Sequence, residues 1–141
     1  MANGGYNIAA KKMIDGNFNW ASLDVRLLLV DSGYTYDKDH DFVADVAANE
    51  LSGTGYARKT LTGEATSQDD VNNRAEGDAN DPTWTAINAG TAAAAILFAF
   101  VTNDADSWLI AHIDTGGFPI TTNGGDLTIQ FNAEGVIQVV P

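Results

Sequence analysis

Short apolar segments, separated by Gly, Asn and Asp, run through the chain and predict strands. In residues 23–30, the odd positions are apolar along one face, and Leu28 and Val30 make the other face apolar as well. This pattern predicts a central strand that is buried on both faces. Further strands are predicted at 56–62, 83–87, 108–114, 126–132 and 136–140. Their close spacing indicates an all-β fold, mainly an antiparallel β-sandwich or jelly-roll-like barrel, with one or two short helices.

Residues 91–100 fit two kinds of element. Four consecutive alanines favour a helix, whereas the apolar residues that follow leave no polar face and no helix cap. The neighbouring strands need a central partner, which favours a buried strand at 92–101. The helical alternative stays open at this point.

Two segments have helical spacing. Residues 3–14 place Tyr6, Ala9, Ala10 and Met13 on one face, and Asp15-Gly16 follows as a stop. Residues 1–16 are therefore expected to form a helical or extended N-terminal arm. Residues 41–50 have apolar positions at steps of three and four and predict a second short helix that packs across the sheet.

The chain has 141 residues and no cysteine, which predicts a single β-rich domain, 1–141, that folds without disulfides. Residues 63–82 are rich in Asp, Asn, Glu and Gly, with Val71 as the one large aliphatic residue. They predict an acidic loop region with one weak strand near 70–75.

The charge of the chain limits its partners. Nineteen acidic residues against seven basic ones give a formal net charge of -12, which repels nucleic-acid phosphate and anionic lipid. No segment has the length of a membrane span, and the N-terminus lacks the pattern of a signal peptide. We expect no nucleic-acid or membrane partner and synthesis in the cytoplasm.

Few residues suggest chemistry. His112 is expected to be a partly buried imidazole on the face shared by Trp108 and Ile110, bonded to a carbonyl or carboxylate. The acidic run Asp37–Asp41 alternates carboxylates as calcium loops do, but Phe42 stands where such a loop needs glycine. A solvated loop is the better interpretation, with a non-helical calcium site as the alternative. The sequence predicts no catalytic residue, no cofactor and no metal site.

The order of segments along nearly the whole chain resembles a family of small tailed-bacteriophage virion proteins of the head decoration or cement type. The resemblance is firmest in the stretches WASLDVRLLLVDSGY, HDFVADVAANELSGTGY and NGGDLTIQFNAEGVI, and weakest at 63–81. It implies a non-enzymatic structural protein on the capsid surface of the virion. Such a protein would clamp adjacent subunits of the major capsid protein, as a homotrimer.

Exposed aromatic residues are the expected contacts in such a protein, because aromatic side chains dominate protein interfaces. The candidate partner-contact residues are Tyr6, Tyr34, Tyr36, Phe118 and Pro119. Two alternatives stay open. One is a head-tail connector, tail or fibre-base protein. The other is a carbohydrate-binding module, suggested by Trp84, Trp108 and the abundant Asp and Asn.

Overall fold

The computed structural model describes residues 4–141 and is mostly β. Its one α-helix is α1, Asn7–Ile14. The strands, in chain order, are β1 Gly4–Gly5, β2 Val25–Val30, β3 Lys59–Thr60, β4 Ala65–Asp69, β5 Arg74–Asp78, β6 Thr83–Trp84, β7 Thr91–Ala92, β8 Ala94–Ala99, β9 Trp108–Ile113, β10 Ile120–Thr121, β11 Leu127–Thr128 and β12 Ile137–Val139. The prediction of an all-β fold with one or two short helices is confirmed.

A five-stranded antiparallel sheet in the order β1-β9-β8-β2-β3 forms the centre of the fold. A second sheet, in the order β12-β5-β4, has three antiparallel strands. Two short two-stranded sheets pair β10 with β7 and β11 with β6. The five-stranded sheet carries one hydrophobic cluster on each face, and Val136 beside β12 is buried in the larger cluster.

The two strands predicted to be central are central. Leu27 and Leu29 of β2 pack in the larger cluster, whereas Leu28 and Val30 pack in the smaller one. Every residue of β8 is buried, which settles the ambiguity at 91–100 in favour of a strand. A helix would have needed a polar face, and these residues offer none. The strands predicted at 56–62, 83–87 and 126–132 are each only two residues long.

The N-terminal segment is packed against the sheet. Gly4 and Gly5 pair with His112 and Ala111 of β9, so α1 begins later than the sequence suggested. The part of the predicted helix at residue 3 lies outside the described residues. Helix α1 ends as expected: the Asp15 N–H donates to the Lys11 carbonyl, and Gly16 has a φ of 78°.

The helix predicted at 41–50 is wrong. The segment instead forms two single turns of 3-10 helix, Val43–Asp45 and Ala47–Asn49. The Val43 and Ala44 N–H groups donate to the carbonyls of Ser107 and Asp104, across the fold. Within the segment the backbone bonds run from residue i to i−3, as from the Val46 N–H to the Val43 carbonyl and from the Glu50 N–H to the Ala47 carbonyl, so each turn is 3-10 and not α-helical.

The acidic segment 63–82 is also not a loop. It forms a β-hairpin, β4 and β5, to which β12 adds as a third strand. Arg74 holds the hairpin through ion pairs with Asp69, Glu76 and Glu134 at 3.3, 2.7 and 3.3 Å. The strands carry mostly polar residues on exposed positions, so the apolar alternation that reveals a strand is absent.

A bulge changes which face His112 occupies. Leu97 of β8 pairs with Ala111 of β9, but Phe98 pairs with Leu109, so Ile110 is an extra residue in β9. A bulge of this kind reverses the alternation of side chains beyond it. His112 therefore lies on the opposite face from Trp108 and Ile110, and the predicted shared face is wrong.

Candidate functional site

Three of the five predicted contact residues come together on the smaller cluster. The hydroxyl groups of Tyr6 and Tyr34 are 3.0 Å apart, and the Tyr34 hydroxyl lies 3.1 Å from His40 Nδ1. The Tyr36 hydroxyl donates to the Gly5 carbonyl at 2.6 Å, and its ring stacks on that of His112, with centroids 4.9 Å apart. The contacts fix the relative positions of three tyrosines and both histidines.

The three phenols of this tyrosine-histidine cluster are held in their protonated form. Burial is the main cause that raises the pKa of Tyr6, Tyr34 and Tyr36 above the ordinary value for a phenol. Phenols with a raised pKa stay protonated at neutral pH. Their hydrogen bonds therefore hold the rings in place and supply no phenolate.

His112 gives this cluster a predicted pH dependence. Burial lowers the pKa of the imidazole, and the charge of Asp114 opposes the shift only in part. The folded protein therefore binds this proton less readily than the unfolded chain. We expect the contribution of His112 to the free energy of unfolding to be constant above pH 6.5. Below pH 6.5 this contribution falls as the pH drops through the lower pKa of the folded state. The slope is at most about 1.4 kcal/mol per pH unit.

Urea titrations of the wild type and of His112→Phe at several pH values between 8 and 5 will measure this effect. Phenylalanine keeps a ring against Tyr36 and cannot bind a proton. The wild type should lose stability relative to the variant below pH 6.5, and parallel curves for the two proteins would contradict the assignment. Carboxyl groups with a lowered pKa, such as that of Asp69, titrate in more acidic solution.

The predicted contact residues differ in accessibility. Tyr6 is only 2% exposed, so its side chain belongs to the core, and its predicted contact with a partner stays a prediction. Tyr34 and Tyr36 are half-buried and line an open depression of about 380 Å³ together with Asp31, His112 and Asp114. Phe118 is half-buried against the larger cluster, on the other face of the five-stranded sheet, and Pro119 is exposed. The structure therefore does not bring Phe118 and Pro119 together with the tyrosines.

The tryptophans are all core residues. Trp20, Trp84 and Trp108 are 3%, 0% and 5% exposed. A carbohydrate-binding site usually presents an aromatic face to the sugar, and none of these three rings is free to do so. The burial of Trp84 and Trp108 removes the residues that suggested a carbohydrate-binding module.

An apolar groove, which the sequence did not predict, runs along one face of the β12-β5-β4 sheet. Thr66 lies opposite Gly77, Gly77 opposite Ile137, and Ala75 opposite Val139, so these side chains share one face. The opposite wall contains Met13 of α1 and the stacked rings of Phe18 and Trp20. The groove is open to solvent and has a volume of about 590 Å³.

Trp20 anchors this wall to the sheet. Its indole N–H donates to the Asp78 carbonyl at 2.8 Å, and its ring lies directly over Gly77. A Cβ atom at Gly77 would lie 3.2 Å from the indole and 2.9 Å from Ile137 Cγ1. Glycine at this position therefore permits the close approach of the Trp20 ring to β5.

The outer edge of β12 is accessible next to the groove. Among residues 4–141, β12 has a hydrogen-bonded neighbour, β5, on one side only. On its other side is a crevice of about 300 Å³, whose far wall is formed by α1 and β1. Met13 and Ile137 line both depressions, so the crevice continues the groove. Met13, Val139 and Val140, which are 39%, 45% and 71% exposed, leave an apolar surface in contact with water.

The segments that form the sheet beneath the groove are acidic. Residues 63–82 and 129–141 contain one cation, Arg74, and seven acids, which are Glu64, Asp69, Asp70, Glu76, Asp78, Asp81 and Glu134. Three of the seven pair with Arg74. A third depression, of about 370 Å³, adjoins the groove at Ala75 and Val139 and is lined by Asp70. Asp70 therefore places a carboxylate near the Val139 end of an apolar floor.

In residues 4–141, no three His, Asp or Glu side chains are grouped so that they could hold a metal ion. In the acidic run Asp37–Asp41, Asp37 Oδ1 accepts a hydrogen bond from the Asp39 N–H, and Asp39 Oδ1 accepts one from the Asn7 side-chain amide. Within the same described range, no helix has the length and apolar character needed to span a membrane.

The sequence carried few signs of the groove. Its floor is formed by strands that lack apolar alternation, and the wall residues Phe18 and Trp20 belong to no regular element. No protein-family model, curated protein or solved structure matches the chain. The functional conclusion therefore depends on the geometry of the chain's own residues.

Proposed function

We propose that this chain is a non-enzymatic structural protein of a tailed-phage virion, a decoration or cement protein on the outer surface of the head. In this role it binds adjacent subunits of the major capsid protein and forms a homo-oligomer, a trimer. It is made in the host cytoplasm and needs no cofactor.

The open apolar groove between α1 and the β12-β5-β4 sheet is the observation that carries this proposal. Exposed apolar surface beside an accessible strand edge is typical of protein-binding sites. The tyrosine-histidine cluster supplies a second surface on the other face of the five-stranded sheet, where Tyr34 and Tyr36 are half-buried. Its rings are held by hydrogen bonds and stacking, so little conformational entropy is lost when a partner binds.

Two surfaces on one small protein suit a clamp. A protein that contacts two subunits at once binds with an avidity well above that of either contact, because the second contact forms at high effective concentration. Binding to the assembled shell also stabilises that shell relative to separated subunits. The mostly antiparallel sheets provide a stiff connection between the two surfaces.

A connector, tail or fibre-base role uses the same surfaces and differs in copy number. Quantitative mass spectrometry of purified phage particles, with the major capsid protein as internal standard, separates these roles. A decoration protein is expected on the order of hundreds of copies per head, whereas a connector forms a single ring of about six to twelve. A count of about a dozen, or absence from the particle, would contradict the proposal.

A further inference from the structure

We propose that the groove binds an extended segment of a partner protein that pairs with the free edge of β12. The segment places alternate apolar side chains on Ile137 and Val139 and carries at least one Lys or Arg toward Asp70. This inference rests on the proposed function, which supplies the partner as another virion protein, and adds the mode of binding and the chemistry of the bound segment.

The free edge of β12 supplies the main-chain contacts. In an antiparallel sheet, a strand with one neighbour leaves alternate N–H and C=O groups directed away from that neighbour. Within the described chain, β12 is bonded to β5 alone, and the crevice beside it is lined by Val136, Ile137, Gln138 and Val140. A segment in this crevice can therefore add a fourth strand to the β12-β5-β4 sheet.

The floor of the groove selects the side chains. Residues two apart along a strand lie on one face, about 6.7 Å apart. Ile137 and Val139 repeat at this spacing, with Ala75 and Gly77 beside them on β5. An added strand with apolar residues at alternate positions extends this face and covers Met13 and Val139, which are 39% and 45% exposed. Its other side chains point away from the groove.

The Val139 end of the groove selects a positive charge. Asp70 lines the depression that adjoins Ala75 and Val139, and its side chain accepts a hydrogen bond from the neutral Gln68 amide. A cationic side chain in this depression is attracted to the Asp70 carboxylate. A second copy of the chain carries the same formal net charge of -12, so a different protein with a basic segment fits better.

Photo-crosslinking in phage particles tests the inference directly. A benzoylphenylalanine replaces Val139 in the full chain, and a control chain carries it at Val101, which is 51% exposed and does not line the groove. From position 139 we expect crosslinks to one segment of another virion protein, with alternating apolar residues and a Lys or Arg. The control should not reach that segment.

Several outcomes overturn the inference. In particles that contain the protein, crosslinks from position 139 to a second copy of the chain or to an acidic segment would overturn it. The absence of any crosslink from position 139 would overturn it as well. Equal crosslinking of one segment from both positions would also contradict it. Absence of the unmodified protein from particles is a different failure, because it contradicts the proposed function itself.

A matched pair of substitutions measures the contribution of the groove to binding. Val139→Asp places a charge on the apolar floor, whereas Val101→Asp makes the same change at a similarly exposed valine elsewhere. Copies per particle should fall about tenfold or more for Val139→Asp and stay within about twofold for Val101→Asp. Equal incorporation of both folded variants would overturn the inference, and thermal melting of the purified variants establishes that they are folded.

Discussion

Trp84→Ala is expected to lower the free energy of unfolding by about 4 kcal/mol. The Trp84 side chain is fully buried, and its indole N–H donates to the Ala57 carbonyl at 2.6 Å. Alanine leaves a cavity and removes the hydrogen bond to the Ala57 carbonyl. Since domains of this size are stable by about 5–15 kcal/mol, urea unfolding should detect the loss easily.

Trp84→Phe is the matched control. It keeps an aromatic ring that can pack near Tyr56, whose ring now lies 6.5 Å from that of Trp84, but it removes the N–H donor. We expect a smaller loss of about 1–2 kcal/mol. A loss below 1 kcal/mol for the alanine variant would place Trp84 outside the core. It would also reopen the possibility that this ring contacts a ligand.

Arg58→Met is expected to lower the free energy of unfolding by about 2 kcal/mol. Arg58 joins Glu50 at 2.7 Å and Asp104 at 2.6 Å, and so connects the second 3-10 turn to the loop after β8. The side chain of Glu50 is only 15% exposed, so removal of the cation leaves a poorly solvated carboxylate. Urea unfolding of Arg58→Met, Glu50→Gln and the double variant will measure the coupling.

The double variant should be more stable than Arg58→Met alone, because it lacks the unpaired carboxylate. Acid adds an independent check. Hydrogen bonds from Arg58 lower the pKa of Asp104, so their stabilising effect is present above the usual pKa of an aspartate and is lost as pH falls through the lower folded value. The advantage of the wild type over Arg58→Met should therefore shrink in acid. An advantage that grows in acid would contradict this assignment.

The main sheet could be predicted from the sequence because its central strands are apolar on both faces. Residues 23–30 and 92–101 showed this pattern, and β2 and β8 lie within these ranges. Propensity alone would have made the alanines of β8 helical. The surrounding strands decide the outcome, since burial on both faces outweighs the helical preference of alanine.

The remaining elements depend on contacts between distant residues. The 41–50 segment is bonded to the Ser107 and Asp104 carbonyls through the Val43 and Ala44 N–H groups, and the hairpin at 65–78 is held by Arg74 and its three carboxylates. Neither interaction leaves a periodic pattern in the sequence. The bulge at Ile110 likewise reversed the face of His112 through pairing with β8 alone.

The candidate site was only partly predictable for the same reason. Tyr34 and Tyr36 lie at the surface near turns, as expected, but Tyr6 packs in the core because β1 pairs with β9. The groove combines residues from α1, from the irregular segment after it and from strands far along the chain. Its apolar surface appears only when the polar hairpin brings Ala75 and Gly77 beside β12.

Cryo-electron microscopy of purified particles tests most directly whether this chain binds the shell through its groove. We expect density for this fold on the outer head surface, repeated over the shell, with the β12 edge and the Met13 side of the groove against a neighbouring subunit. Density confined to a single ring at the tail vertex, or a groove that faces solvent in every copy, would contradict this expectation.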